Sequence, residues 1–250
     1  MKILLTDGET CETYRNEQGQ LETSSGQAYD LGGAVLDTNT GNLSQKFSLV
    51  NEDVFFGMPL SMKEAYFADK IPQYLEDMRM GKRSIVDTWQ MWRIINQICQ
   101  EEKIDAIAGH NIWFDVHVLN ATIRYQTKSR KRYFFPYGVP IMDTMMMAQK
   151  VIANTKEYID FCVTNNYMTN HPIPRPRVTA EILWRFLSGD NNFQEAHTGF
   201  EDVEIEAKIF MECLRRGYPL PTTEEVSADS LRAGPRFCNK YLTIKSIDFL

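Results

Sequence analysis

MKILLTDGET, residues 1–10, decides how the chain is read. An apolar run, Ile3, Leu4 and Leu5, leads directly into Asp7, Gly8 and Glu9. Successive side chains on a strand point to opposite faces, so residues two apart share a face. Asp7 and Glu9 therefore project together from the end of a strand whose remainder is buried. Two carboxylates on one face repel each other unless a cation, a basic side chain or a shared proton lies between them. Taken alone, such a triplet is commonly no more than a solvated acidic strand end. The choice between the two readings falls to the rest of the chain.

The 250 residues suit one domain at the upper end of the usual size, or a domain with an extra subdomain. With 43% hydrophobic and 24% charged residues, the chain can bury a sizeable core. No apolar run approaches the ~20 residues of a membrane span, and the N-terminus has no signal-peptide architecture. The five cysteines, Cys11, Cys99, Cys162, Cys213 and Cys238, are scattered and form no C-x-x-C pair. They support neither a zinc site nor a disulfide framework, and point to a reducing, cytoplasmic compartment. The net charge of −6 argues against coating long duplex DNA, which needs broad phosphate neutralisation. It leaves open an enzyme that holds a few nucleotides through metal ions.

Residues 12–27 read as a turn-rich connection, residues 28–36 (AYDLGGAVL) as a strand with a glycine pair at its middle, and residues 46–50 as a third strand. Three strands joined by turns suggest an antiparallel meander. Helical spacing then runs from Met62 to Met80, with Pro72 breaking or starting a helix. A clearer amphipathic helix spans Ser84–Glu102, a short strand Ile104–Ala108 and a helix Phe114–Tyr125. The run KSRKR at 128–132 is the one dense basic cluster, either a solvated loop or, beside Tyr133, Phe134, Phe135 and Tyr137, a contact to phosphates. A strand is expected at Val139–Asp143 and helices at Thr144–Ala153, Thr179–Leu187 and Phe200–Arg216. Tyr158–Arg177, with Pro172, Pro174 and Pro176, reads as irregular. Strands first, then strands alternating with helices, give an α/β arrangement around a mixed sheet.

Two further acidic signals follow. In AGHNIWFD, residues 108–115, a short strand ends at His110 and Asn111, and Asp115 lies a helical turn later. In HTGFED, residues 197–202, His197 precedes a helix that Asp202 opens. Each has an ordinary reading as a helix cap or dipole partner, and His110 is more often a hydrogen-bonded core histidine than a ligand. Residues five apart on a helix point ~140° apart. His197 therefore makes sense in the loop, swung back over Asp202.

In this order, the segments LLTDGET, AYDLGGAVLDTNTG, AGHNIWFDVHVLN, IMDTM and HTGFEDVEIEAKIF resemble those of the DnaQ-like (DEDDh) 3′-to-5′ exonucleases of the ribonuclease H-like superfamily. A sister branch has Tyr where this chain has Thr198; His197 indicates the histidine branch. The resemblance covers residues 1–217, an exonuclease domain, with 218–250 a C-terminal tail packed on the core. It implies a ribonuclease H-like mixed five-stranded sheet, three antiparallel strands and then two with crossover helices, flanked by helices. Asp7, Glu9, Asp115 and Asp202 look like the four carboxylates that hold two divalent cations, Mg²⁺ or Mn²⁺, and His197 like the general base. Carboxylates suit such hard ions, two ions can promote an in-line displacement, and a histidine can take the proton of the attacking water. Gly8 and Thr10 would lie beside the terminal nucleotide, and Asn111 and Phe114 would buttress Asp115. His197 would also face the substrate.

The implied activity is removal of nucleoside 5′-monophosphates from 3′ ends of single-stranded or frayed DNA. An RNA-trimming exonuclease is the alternative within the same chemistry, and a nucleic-acid-binding module that has lost catalysis is the alternative of another class. No polymerase is attached, so a proofreading role in DNA replication or repair would need a polymerase partner. The segment 51–81, the loop 128–137 and the tail from Pro219 depart from the compact family pattern and bear on substrate and partner choice.

Overall fold

A computed structural model describes residues 1–12, 14–15, 21–22, 25–131 and 133–220. Expectations for Arg132, for Cys238, for the tail beyond Leu220 and for much of the 12–27 connection lie outside the described residues.

Among the described residues the strands are β1 (Lys2–Cys11), β2 (Tyr14–Arg15), β3 (Leu21–Glu22), β4 (Gln27–Asp37), β5 (Leu43–Asn51), β6 (Ser84–Val86), β7 (Ala106–Gly109) and β8 (Ile141–Asp143). Six of them form one mixed sheet in the order β6-β5-β4-β1-β7-β8, and β2 and β3 pair separately. β1 runs antiparallel to β4, and β4 to β5; β1 runs parallel to β7, and β7 to β8. β1 is thus the strand at which the sheet changes from antiparallel to parallel. The carboxyl ends of β1, β7 and β8 open at one edge, where α/β sheets place their ligands.

The helices are α1 (Glu52–Phe55), α2 (Pro59–Lys63), α3 (Ile71–Arg79), α4 (Thr88–Glu101), α5 (Ile112–Thr127), α6 (Thr144–Val151), α7 (Lys156–Thr164), α8 (Ala180–Ser188) and α9 (Gly199–Arg215). They cover both faces of the sheet, and the alternation of β1 feeds both layers. Ile3 and Leu5 pack with Met147, Leu183, Val203 and Phe210 on one side; Leu4 packs with Met91, Ile95, Val116 and Leu119 on the other. This explains why Ile3, Leu4 and Leu5 of β1 are apolar without alternation: a strand covered on both faces has no solvent side. A smaller cluster under the β5–β6 connection joins Tyr29, Val54, Phe55, Met62 and Tyr74. Tyr218 is buried and Leu220 packs against the first cluster. No helix among the described residues is long and apolar enough to cross a membrane.

The five expected strands are all present, and β6 adds a sixth, parallel to β5. Residues 84–86 belong to this strand rather than to the helix that was expected to begin at Ser84. Asp87 sets the boundary: its carboxylate accepts the Gln90 N–H at 2.6 Å, while the Gln90 side chain accepts the Asp87 N–H. This reciprocal capping box starts α4 at Thr88. A second correction is α7, which occupies part of a stretch expected to be irregular. Thr155 caps it by accepting the Tyr158 N–H, and Tyr158 and Cys162, one turn apart, are both buried. The proline-rich residues that follow are irregular, as expected. Pro72 lies in the first turn of α3, where a missing N–H costs nothing. Cys11, Cys99, Cys162 and Cys213 are buried free thiols.

Candidate active site

Asp7 and Glu9 leave the same face of β1, and the pairing register with β4 shifts just after Glu9. Gly8 between them makes room for a third acid. A Cβ at Gly8 would lie 3.2 Å from Asp115 Oδ1 and 3.3 Å from the Asp30 carbonyl oxygen. Asp115 arrives from the first turn of α5. The chain turns from β7 into α5 through Asn111 in the left-handed region (φ 60°), a conformation that asparagine tolerates better than most residues. The Asn111 N–H donates to Asp143 Oδ1 at 3.1 Å, and the same oxygen caps α6 through the Met145 N–H at 2.9 Å.

Asp202 arrives from the first turn of α9. Its Oδ2 accepts the Thr198 N–H at 2.9 Å, and its Oδ1 has no partner among the described residues. The start of α9 sits directly on strand backbone. A Cβ at Gly199 would fall 2.6 Å from the Asp7 carbonyl oxygen and 2.7 Å from the Gly32 nitrogen, and one at Gly32 would fall 2.1 Å from the Gly199 carbonyl carbon. Glycine against glycine is what lets α9 bring Asp202 up to β1. The carboxylate oxygens of Asp7, Glu9 and Asp202 lie within 4.8 Å of one another.

A buried ion network fixes this helix start. Asp30, fully buried on β4, accepts the Tyr74 hydroxyl at 2.5 Å and the Gly199 N–H at 3.1 Å. Arg83 reaches Asp30 at 3.4 Å, Asp77 at 3.2 Å and Glu201 at 3.2 Å.

Crowded acids in a poorly hydrated place hold their protons. Burial first, then the charges of Asp202 and Asp30, push Asp7 up to about 8. Burial and the charge of Asp7 push Glu9 up to about 10. Burial takes Asp202 to about 7 and, with Asp7, raises Asp115 well above the carboxylate range. This is the electrostatic signature of a site built for positive charge. An all-oxygen donor set with an unpartnered carboxylate oxygen fits a hard divalent cation.

His197 lines the same cavity of about 330 Å³ as Asp7, Gly8, Glu9, Asn111, Phe114, Asp115 and Asp202. Its backbone is left-handed (φ 53°), and its ring lies against Phe67. A ring nitrogen falls within 4.8 Å of carboxylate oxygens of Glu181 and Glu195. Burial lowers its pKa. Of the expected site residues, Thr10 alone is not among those that line the cavity; it lies past the register shift, paired with Ala28. His110 is a core histidine, its Nε2–H donating to the Val178 carbonyl at 2.6 Å and its Nδ1 accepting the Thr144 hydroxyl at 3.0 Å. Burial drives it down to about 4.

Sequence reasoning missed Glu195, Glu206, Phe67 and the Asp30–Arg83 pair. Glu206 had a signal, since it follows Asp202 by four residues and so shares its helix face. Asp30 was the lone acid inside an apolar strand. Phe67 had none.

No family model matches the chain, and no curated protein matches its sequence. Solved structures do. The chain is similar to a full-length 3′-exonuclease, with a TM-score of 0.55 and 14% identity over 88% of this chain and 84% of that one. It is similar to a 3′-exonuclease described in the 3′-end specific recognition of a histone mRNA stem-loop, with a TM-score of 0.54 and 13% identity over 88% and 84%. It is similar, too, to the nuclease domain of a DEDDh family member bound to rAMP, with a TM-score of 0.50 and 14% identity over 86% and 92%. The chain shares the fold of these 3′-exonucleases. At such low identity the likeness speaks for the fold alone, and activity has to be argued from the side chains. The mixed sheet observed has the expected three antiparallel strands and two parallel ones, with β6 as a sixth.

Proposed function

We propose that this chain is a metal-dependent 3′-to-5′ exonuclease that releases nucleoside 5′-monophosphates from single-stranded DNA ends. The observation that carries this reading is the convergence of Asp7, Glu9 and Asp202 within 4.8 Å, in a cavity that Asp115 and His197 also line. Asp7, Glu9, Asp115 and Asp202 would hold two divalent cations, Mg²⁺ or Mn²⁺. When bound, such ions stabilise the charge that develops on the phosphate and on the leaving oxygen.

The chain's own residues do the rest. The carboxylates would set where the scissile phosphate sits through the cations they hold, and Gly8, by making room for Asp115, completes that set. One imidazole nitrogen of His197 takes a proton from the attacking water as its oxygen bonds to phosphorus. The bond from phosphorus to the 3′-oxygen breaks, and that oxygen leaves and takes a proton from solvent water. A lowered histidine pKa suits this role, because the ring is then neutral and able to accept the proton at neutral pH. Asn111 and Phe114 hold the start of α5 and so the position of Asp115.

RNA is the second reading, favoured by likeness to exonucleases whose described complexes contain a histone mRNA stem-loop or rAMP. A silent binding module is disfavoured by the presence of all five catalytic-type residues. A polymerase partner would be required for proofreading.

The test uses single-stranded DNA and RNA with labelled 3′ ends, incubated with Mg²⁺ or Mn²⁺ and then with chelator. Metal-dependent release of labelled monophosphate is expected, lost in Asp7→Ala and reduced by about 10²–10⁴-fold in His197→Ala. No metal-dependent release from either substrate overturns the proposal. Near-full activity in a folded His197→Ala protein overturns the general-base assignment.

A further inference from the structure

Glu206 lies one turn beyond Asp202 on α9 and shares its face. Its side chain is 2% exposed. Oε1 accepts the His110 N–H at 3.0 Å, while Oε2 has no partner among the described residues. The residue lines the cavity, and the charges that bear on it most are those of Asp7 and Asp115, ahead of Glu195.

The donors divide unevenly. Asp7, Glu9 and Asp202 bring their oxygens within 4.8 Å of one another, which is a three-carboxylate set for one cation; Asp115 and Glu206 both lie outside that group. A second cation would be left with Asp115 and a share of Asp7. An ionised carboxylate buried with one oxygen unpaired is costly unless a proton or a cation meets it, and at this crowded site a cation would displace the proton. Anchoring His110 accounts for Oε1 alone.

We infer that Glu206 is a further carboxylate donor to the second cation, on the Asp7–Asp115 side of the cavity, acting through Oε2 while the His110 N–H holds Oε1. This rests on the two-cation reading of the site. The fifth acid then has two tasks: it ties the β7–α5 turn to α9 and completes the weaker of two ion sites. With Glu206 as a donor, the second ion binds without full help from the substrate phosphate.

The experiment is an Mn²⁺ titration of the full chain, with free Mn²⁺ read by electron paramagnetic resonance, in the presence of a nucleoside 5′-monophosphate. Wild type, Glu206→Gln and Glu9→Gln are compared, with thermal melts confirming that each is folded. The amide of Glu206→Gln keeps an oxygen for the His110 N–H and removes the charge. Two sites are expected in wild type, the weaker loosened at least tenfold in Glu206→Gln with the tighter unchanged, and the tighter loosened in Glu9→Gln. Two wild-type sites that Glu206→Gln leaves within twofold overturn the role of Glu206 alone. A single wild-type site overturns it as well, and no Mn²⁺ binding at all overturns the metal reading with it.

Discussion

Phe67 lies flat on His197, with ring centroids 4.3 Å apart and planes 14° from parallel. Phe67 comes from the β5–β6 connection, and Tyr66 packs edge-on against it at 4.7 Å. A stack fixes the plane of an imidazole without occupying either nitrogen, which suits a ring that must accept and return a proton. Such a stack is worth about 0.5–1.5 kcal/mol, or roughly 2- to 12-fold in how often the ring is held. Phe67→Ala is therefore expected to lower kcat by about that factor with KM little changed, and Phe67→Tyr to retain activity. Steady-state kinetics on a labelled oligonucleotide decide it; a Phe67→Ala enzyme with unaltered kcat would leave the stack without a role.

Gly199→Ala tests the seating of α9. The added methyl would meet the Asp7 carbonyl oxygen and the Gly32 nitrogen, both backbone atoms that cannot swing aside. Overpacking of this kind costs about 1–3 kcal/mol. The expected result is a lower denaturation midpoint together with weakened Mn²⁺ binding, because Asp202 moves with the helix. Equilibrium unfolding in urea and a metal titration measure the two effects separately.

Arg83 offers a contrast within one side chain. Arg83→Ala would leave Asp30 buried beside an empty space, and breaking a buried pair costs about 3–5 kcal/mol. Glu201 is 43% exposed on the other arm, so Glu201→Ala is expected to cost about 1 kcal/mol or less. Comparable losses for the two variants would contradict this division.

Without divalent ions the acid cluster makes the fold sensitive to alkali. Asp7 moves from 3.8 to about 8, Asp202 from 3.8 to about 7 and Glu9 from 4.5 to about 10 on folding. Between about pH 4 and pH 8 the folded state then binds more protons than the unfolded state, so these groups stabilise at the acid end and lose that contribution as the pH rises. In chelator, Tm should fall from pH 5 to pH 8, by about 2–4 °C for each kcal/mol of stability removed in a chain of this size. Adding Mn²⁺ at pH 8 should restore it. Scanning calorimetry with and without chelator is sufficient, and a Tm that rises with pH in chelator would contradict the placement of these carboxylates.

The basic run has a more specific form than its sequence shows. Lys128 lies over Tyr125 at 4.2 Å and Lys131 over Trp92 at 3.7 Å, at the far end of α5. Lys128, at the C-terminal end of α5, lies thirteen positions beyond Asp115, about 20 Å at 1.5 Å per residue. A phosphate held there would belong to a nucleotide well upstream of the 3′ end. Neutralising Arg130 and Lys131 together should flatten the salt dependence of single-strand binding, by about 0.7 in slope for each phosphate that is no longer neutralised. An unchanged slope would make the run a solvated loop.

What could be read from the chain was whatever local spacing encodes. The alternation around Asp7 and Glu9, the helix entered at Asp115 and the one opened by Asp202 were visible because each depends on a few neighbouring residues. β6 was hidden because three residues are too short for a period, and their helix-like surroundings outvoted them until the capping of α4 by Asp87 was seen. α7 was hidden behind the prolines that follow it. Pairs joined only by the fold, Phe67 with His197, Arg83 with Asp30 and Gly32 with Gly199, left no local trace. The glycine pair of β4 was visible as composition; its purpose depended on a helix far along the chain.

The seating of α9 also sets when the chain can become reactive. Asp7 and Glu9 emerge from the ribosome first, Asp115 midway and Asp202 late, and the Gly32–Gly199 packing forms only after α9 has been made. Until then the nascent chain carries Asp7 and Glu9 without the third member of their cluster, and the acid pocket cannot close around a cation.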